Sequence, residues 1–316
     1  SVRGRLKFSG SSRNPIPTME NLPRLDLGAF VTKPSLEHHV SVCGLVFVGL
    51  WMVEFALRFT AGPSLAKMVK VPELSGSKEK ILVGRALMSF LFMCWCTYDG
   101  IYGVYEVGGW EYMWDQVPVP GSNTTTPAQI AAGRLYMYAP RAQRLALFHV
   151  TWEVKNLIDS IIHGDGFIFV VHHILTGVVA YLGLNPFMQI YAPFFLGVTE
   201  LSTAVLCVLA LFDDERGMGI PALAAGLPGV KARLGEVFAV SFVALRIVAW
   251  PLVSYVFIKD TLAVMDTELC HSYEAAVFYL VSNVVLTTMQ FIWLGEIIQA
   301  ALKQFGIIDD GKAKKA

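Results

Sequence analysis

Charge is scarce in this chain. Only 16% of its 316 residues are Asp, Glu, Lys or Arg, against about 25% in an average soluble domain. Neither sign is in excess: 25 basic and 25 acidic residues leave a formal net charge of zero. A nucleic-acid surface needs a basic surplus, so that partner class is excluded. Cysteine is also scarce. Cys43, Cys94, Cys96, Cys207 and Cys270 are an odd set with no zinc-like or framework-like spacing, which argues against a disulfide scaffold. The first four lie in apolar runs, where a thiol acts as a small hydrophobe, and all five read as structural. There is no GxSxG elbow and no glycine-rich phosphate loop. The seven histidines do not form the HxxxH and HxxHH boxes of a membrane di-iron oxygenase.

What is abundant is apolar surface. Hydrophobic residues make up 54% and the mean hydropathy is +0.53. That excludes a disordered chain, a coiled coil and a collagen-like repeat, and it implies lipid as the partner. A spanning helix needs about 20 mostly apolar residues. Segments 39–58, 82–105, 145–163, 166–184, 188–212, 235–258 and 275–301 approach that. The first, fourth, fifth and sixth read as clean apolar spans. The third carries Glu153, Lys155, Asn156 and Asp159, so it either turns a polar stripe into a bundle or lies on the surface as an amphipathic helix. The expected fold is all-α: a multi-pass bundle of about seven spans. It divides into an extramembrane segment 1–38, a membrane domain 39–303 and a tail 304–316.

The connections add sidedness. Residues 106–144 read as the largest loop, and residues 213–233 as a Gly/Pro-rich break in helix. With seven spans, one side carries Arg58, Lys67, Lys70, Lys78, Lys80, Arg216, Lys231, Arg233, Lys303, Lys312, Lys314 and Lys315. The other carries Arg24, Lys33, Arg134, Arg141, Arg144 and Lys259. This asymmetry predicts a C-terminus on the cytosol-like side and an N-terminus outside, with the sequon at Asn123 on the outer side. The opening SVRGRLKFSGSSRN is basic, Ser-rich and free of acids, a transit-peptide-like chemistry that points to a plastid or mitochondrial membrane.

Polar groups at bilayer depth are functional candidates by default. His172 and His173 fall about 9 Å into the fourth span and Glu200 about 18 Å from either end of the fifth, at 1.5 Å per residue. Arg246 lies near the middle of the sixth and Gln290 near the middle of the seventh, followed by Trp293 and Glu296. Asp159 is one turn from the end of the third. These residues suggest one internal cluster, with Arg246 as partner for Glu200 and Asp159 as partner for a histidine. His172, His173 and Glu200 are the candidates for chemistry; Asp159, Arg246, Gln290 and Trp293 are candidates for a polar lipid chamber. A purely structural ion pair is the plain alternative for Glu200 and Arg246, and an i,i+4 pair with Lys155 is the plain alternative for Asp159. Adjacent histidines point about 100° apart, so one faces a ligand while the other packs or bonds a neighbouring helix. His38, His39, His149 and His271 read as standing near the outer end. A zinc site from His172, Glu200 and Asp159 is conceivable, but no spacing demands one, and neither metal nor pigment is expected.

The ordered run Trp152-Glu153, Asp159, His172-His173, Glu200-Leu201-Ser202, Leu245-Arg246-Ile247 and Gln290-Phe291-Ile292-Trp293 resembles the TLC domain family. That family includes the translocating-chain-associated proteins, the ceramide synthases and the neuronal lipofuscinosis protein with the same domain. The resemblance covers roughly residues 39–303. It implies a six-helix barrel-like bundle around a lipid-accessible chamber, preceded by one extra helix, in the endoplasmic reticulum. The ceramide synthase signature continues from its His pair to a His-Asp and a further Asp. Thr199-Glu200 and Thr203 fall at those places, so the chain keeps the His pair and one acid and is not a typical ceramide synthase. Three functions follow: a lipid-binding or lipid-handling membrane protein; a structural subunit of an organellar membrane complex, docking through the 106–144 loop and helix faces; and an N-acyltransferase on a long-chain lipid, with His172 or His173 as base and Glu200 orienting it.

Overall fold

The computed structural model describes residues 36–110, 126–136, 138–184, 187–212, 219–304 and 307. All seven apolar segments are helical. They are α1 (Leu36–Val69), α2 (Ser77–Glu106), α4 (Pro140–His163), α5 (Phe167–Leu182), α6 (Glu200–Leu209) with its flanking turns, the pair α8 (Pro228–Phe242) and α9 (Trp250–Met265), and α10 (Tyr273–Gln304). Two shorter helices, α3 (Pro127–Tyr136) and α7 (Pro221–Gly226), lie in the connections. Among the described residues, five helical stretches are long and apolar enough to cross a membrane: His38–Val69, Ser77–Glu106, Phe194–Phe212, Pro228–Met265 and Tyr273–Lys303. Helix α5 is apolar but shorter, and α4 is long enough but carries the polar stripe. The chain is an all-α, multi-pass integral membrane bundle.

Local chemistry explains most boundaries. Helices α3, α4, α7 and α8 begin on proline, whose fixed φ and missing N–H suit the first helical position. Helix α4 ends at Gly164 with φ +70°, where the N–H groups of Gly164 and Asp165 both bond the Ser160 carbonyl, a glycine cap that turns the chain sharply into α5. The helices bearing Glu200 and Arg246 each contain a π turn, Phe194–Val198 and Val243–Ala249. Pro251 has no N–H to give Ile247, so the ladder is already broken where the second π turn sits.

Packing is tightest where α2 crosses the first π turn. A Cβ placed on Gly100 would lie 2.5 Å from the Cα of Gly197, so only two glycines allow this approach. Around it sits the main core, with Phe92 stacked on Trp152 at 4.4 Å and Phe187, Tyr191, Phe194 and Phe257 fully buried. Helix α1 turns Leu45, Met52, Phe55 and Phe59 outward, as a lipid-facing helix does.

Three sequence expectations are corrected. The 106–144 segment is not all loop: Pro127–Tyr136 is a helix, and α4 starts at Pro140. It is pinned by Arg134, whose Nε donates to Asp260 Oδ2 at 2.5 Å; Asn123 lies outside the described residues. The first span is not clean, because Glu54 is fully buried in it, paired with Arg58 and with Lys155 Nζ at 2.5 Å. The intramembrane charges do not form one cluster either. Asp159 binds Lys155 at 2.7 Å and lies 3.7 Å from Arg85. It serves the α1–α2–α4 contact and no histidine.

The two ends of the bundle are distinguishable. Arg85 at the start of α2 meets Asp165 in the α4–α5 turn at 3.3 Å. At the opposite end, Arg144 Nε donates to Asp99 at 2.9 Å and Arg141 pairs with Glu106.

Candidate functional site

Helix α4 presents His149, Trp152, Glu153 and Asn156 to the interior, an i, i+3, i+4, i+7 stripe that a helix places on one face. Helix α5 adds His172, His173 and Thr176 from the other side of the tight Gly164 turn. Helix α6 adds Glu200, Ser202 and Thr203, the α8–α9 pair Arg246 and Trp250, and α10 Asn283, Gln290 and Trp293. Together they line a partly open cavity of about 1090 Å³. It follows α10 from Tyr279 to Ala300, roughly 31 Å at the helical rise. Its inner end is mostly apolar, lined by Val179, Met188, Phe257, Tyr279 and Leu286 with Asn283 among them; the end near Arg85 carries Lys231, Glu296 and Lys303.

Two polar groupings line the middle. In the first, Glu153 Oε2 sits 2.6 Å from His173 Nδ1, so Nδ1 carries the proton when the carboxylate accepts it. His149 Nε2 donates to the Leu196 carbonyl at 2.5 Å, which sets its tautomer and leaves Nδ1 3.8 Å from Glu153 Oε1. His172 stacks edge-on to Trp293 at 5.5 Å, and its buried Nδ1 has no hydrogen-bond partner. In the second, Arg246 donates to Glu200 Oε1 at 3.2 Å, to Thr203 Oγ1 at 2.9 Å and to Ser202 Oγ at 3.4 Å. Thr203, at a position where the ceramide synthase pattern has an acid, holds the guanidinium instead. Between them Gln290 is 1% exposed, with neither its amide oxygen nor its nitrogen hydrogen-bonded.

Of the sequence candidates, His172, His173, Glu200, Arg246, Gln290 and Trp293 line one cavity, and Asp159 does not. The acid hydrogen-bonded to a histidine is Glu153, while Glu200 is held by Arg246 and Asp159 by Lys155. His149, expected near the outer end, is part of the same wall. Both were legible as the 3–4 periodicity of His149, Glu153 and Asn156 along the third span. Among the described residues, the ligand atoms of Glu153, His172 and His173 lie within 4.8 Å of one another, whereas His172, Glu200 and Asp159 do not gather in this way. The chemistry open to the site is proton transfer by a carboxylate-oriented imidazole and hydrogen bonding to a polar head group.

The TLC domain family matches residues 83–299. The chain belongs to that family. The match includes every cavity residue from Arg85 to Gln299 and leaves α1 outside it. No curated protein and no solved structure matches the chain.

Proposed function

We propose that this TLC-domain protein binds a long-chain amphiphile inside its bundle and handles it as a membrane lipid. The observation that carries this reading is the cavity: about 1090 Å³, mostly apolar at its inner end, with unpartnered polar atoms of Gln290 and His172 midway along it. Buried polar atoms without partners cost about 1–3 kcal/mol each, a cost that a ligand head group would offset. The apolar chain would lie against Phe257, Tyr279 and Leu286, and the head against Gln290, His173 and Arg246. Gentle purification, lipid extraction and mass spectrometry should return one lipid class in near-stoichiometric amount. Gln290→Leu should lower its retention without loss of fold. A lipid-free, monodisperse parent protein would overturn the reading.

A second reading is supported by the Glu153–His173 hydrogen bond at 2.6 Å, which would orient His173 as a general base for N-acyl transfer. Parent protein offered acyl-CoA and a long-chain amine should then give product. His173→Ala should lower the rate by roughly 10²–10⁴-fold. No product above background leaves binding alone, and a size measurement on the same sample tests the subunit alternative.

The Lys-rich end, with Lys67, Lys70, Lys78 and Lys80, is proposed to face the cytosol-like compartment. Cysteines introduced at positions 70 and 123 should label from opposite sides; labelling from one side would refute this.

A further inference from the structure

We propose that Glu153, His172 and His173 form a binding site for a divalent transition-metal ion of the zinc type, with its remaining coordination position open to the cavity. The donor set is two imidazoles and one carboxylate, as in catalytic zinc sites, which hold three protein ligands and leave a fourth position free. The three donor atoms come from two helices joined by the tight Gly164 turn and lie within 4.8 Å of one another, so both adjacent histidines bring a nitrogen to the same carboxylate, contrary to the expectation that only one would face a ligand. Metal–nitrogen bonds of about 2.0–2.1 Å put tetrahedral ligands about 3.3 Å apart, a distance side-chain rotation reaches. The His172 Nδ1 is a buried donor-or-acceptor atom with no hydrogen-bond partner, the state expected of a ligand awaiting its ion. Glu153 is 5% exposed, and Arg246 is committed to Glu200, Thr203 and Ser202. The carboxylate is therefore met by imidazoles, His173 at 2.6 Å and His149 at 3.8 Å.

The site shares His172 and His173 with the lipid reading, but it is tested separately from it, with the metal alone. Purified full-length protein, stripped with a chelator and dialysed against Zn2+, should retain one ion per chain by elemental analysis. Co2+ in its place should give the visible absorption of a low-coordinate N/O site. Glu153→Gln and His172→Ala should each abolish that stoichiometric ion. His172→Ala leaves the Glu153–His173 bond in place, so it reports on ligation even if Glu153→Gln perturbs folding. His163→Ala, at an exposed position on α4, should leave the ion bound. Absence of a bound ion in the parent, or retention of it in folded His172→Ala, would overturn the site.

Discussion

Two groups of buried charge lie on opposite faces of α4, and they differ in how completely they are satisfied. On the face toward α1 and α2, Glu54, Arg58, Lys155, Asp159, Arg85 and Asp165 form a chain in which each charge meets an opposite one; Arg58 Nε and Glu54 Oε2 make no hydrogen bond, but both belong to side chains that an ion pair neutralises. Lys155 also sits 4.8 Å over the Trp51 ring. On the cavity face, Glu153 and Glu200 have partners while His172 Nδ1 and the whole Gln290 amide do not. A closed network in low dielectric is demanding but self-sufficient, and it fixes how helices meet. An open one keeps hydrogen-bonding capacity that only a bound molecule can use. The first reads as architecture and the second as a binding surface, although both are built from the same residue types on one helix.

The largest expected effect breaks the closed side. Lys155→Met removes the lysine from fully buried Glu54 and should cost about 3–5 kcal/mol, the range for stripping one partner from a buried pair. Thermal unfolding in detergent reads this, and Glu54→Gln combined with Lys155→Met should recover much of the loss. If Lys155→Met were as stable as the parent, the distinction between the two faces would collapse.

A smaller effect is expected for Glu200 and Arg246, whose side chains are about a tenth exposed to the cavity. In a double-mutant cycle, Glu200→Gln with Arg246→Met should be milder than the two single changes summed, by about 0.5–3 kcal/mol. Strict additivity would show that the pair does not couple.

The smallest effect lies outside the spans. The Tyr136 hydroxyl donates to His271 Nδ1 at 3.0 Å and accepts from the His271 backbone N–H at 3.1 Å. Burial holds His271 below its ordinary 6.5 and pushes the Tyr136 hydroxyl up. A neutral imidazole is thus favoured in the fold and proton uptake in the unfolded chain. This contribution is complete above about pH 6.5 and is lost as the pH falls through the lower folded value. Stability measured from pH 7.5 to 5 should decline, and His271→Gln should flatten that decline. An unchanged slope would remove His271 as its source.

Much of the architecture was readable before any coordinates. The seven apolar segments became helices because 20-residue apolar runs have few other ways to satisfy their backbones in lipid. The pairing of Glu200 with Arg246 was legible because both sit at mid-span, where an unpaired charge is too costly. Glu54 was missed because a single acid hardly lowers the hydropathy of a long run. Glu153 was seen as polar but not assigned to the histidines, since its distance from His173 across a turn depends on how two helices roll against each other.

By itself the sequence determined the class, the helices, the depth of most polar residues and the resemblance to the TLC domain. These follow from composition and periodicity, which are local. Only the tertiary structure decided which acid meets which histidine, that Asp159 faces Lys155 and Arg85 instead of the cavity, and that His149 and Gln290 share one wall. Those outcomes depend on helix rotation and crossing, and on close approaches such as Gly100 against Gly197. A rotation of two residues, about 200°, would exchange the satisfied face of α4 for the open one without altering any helix.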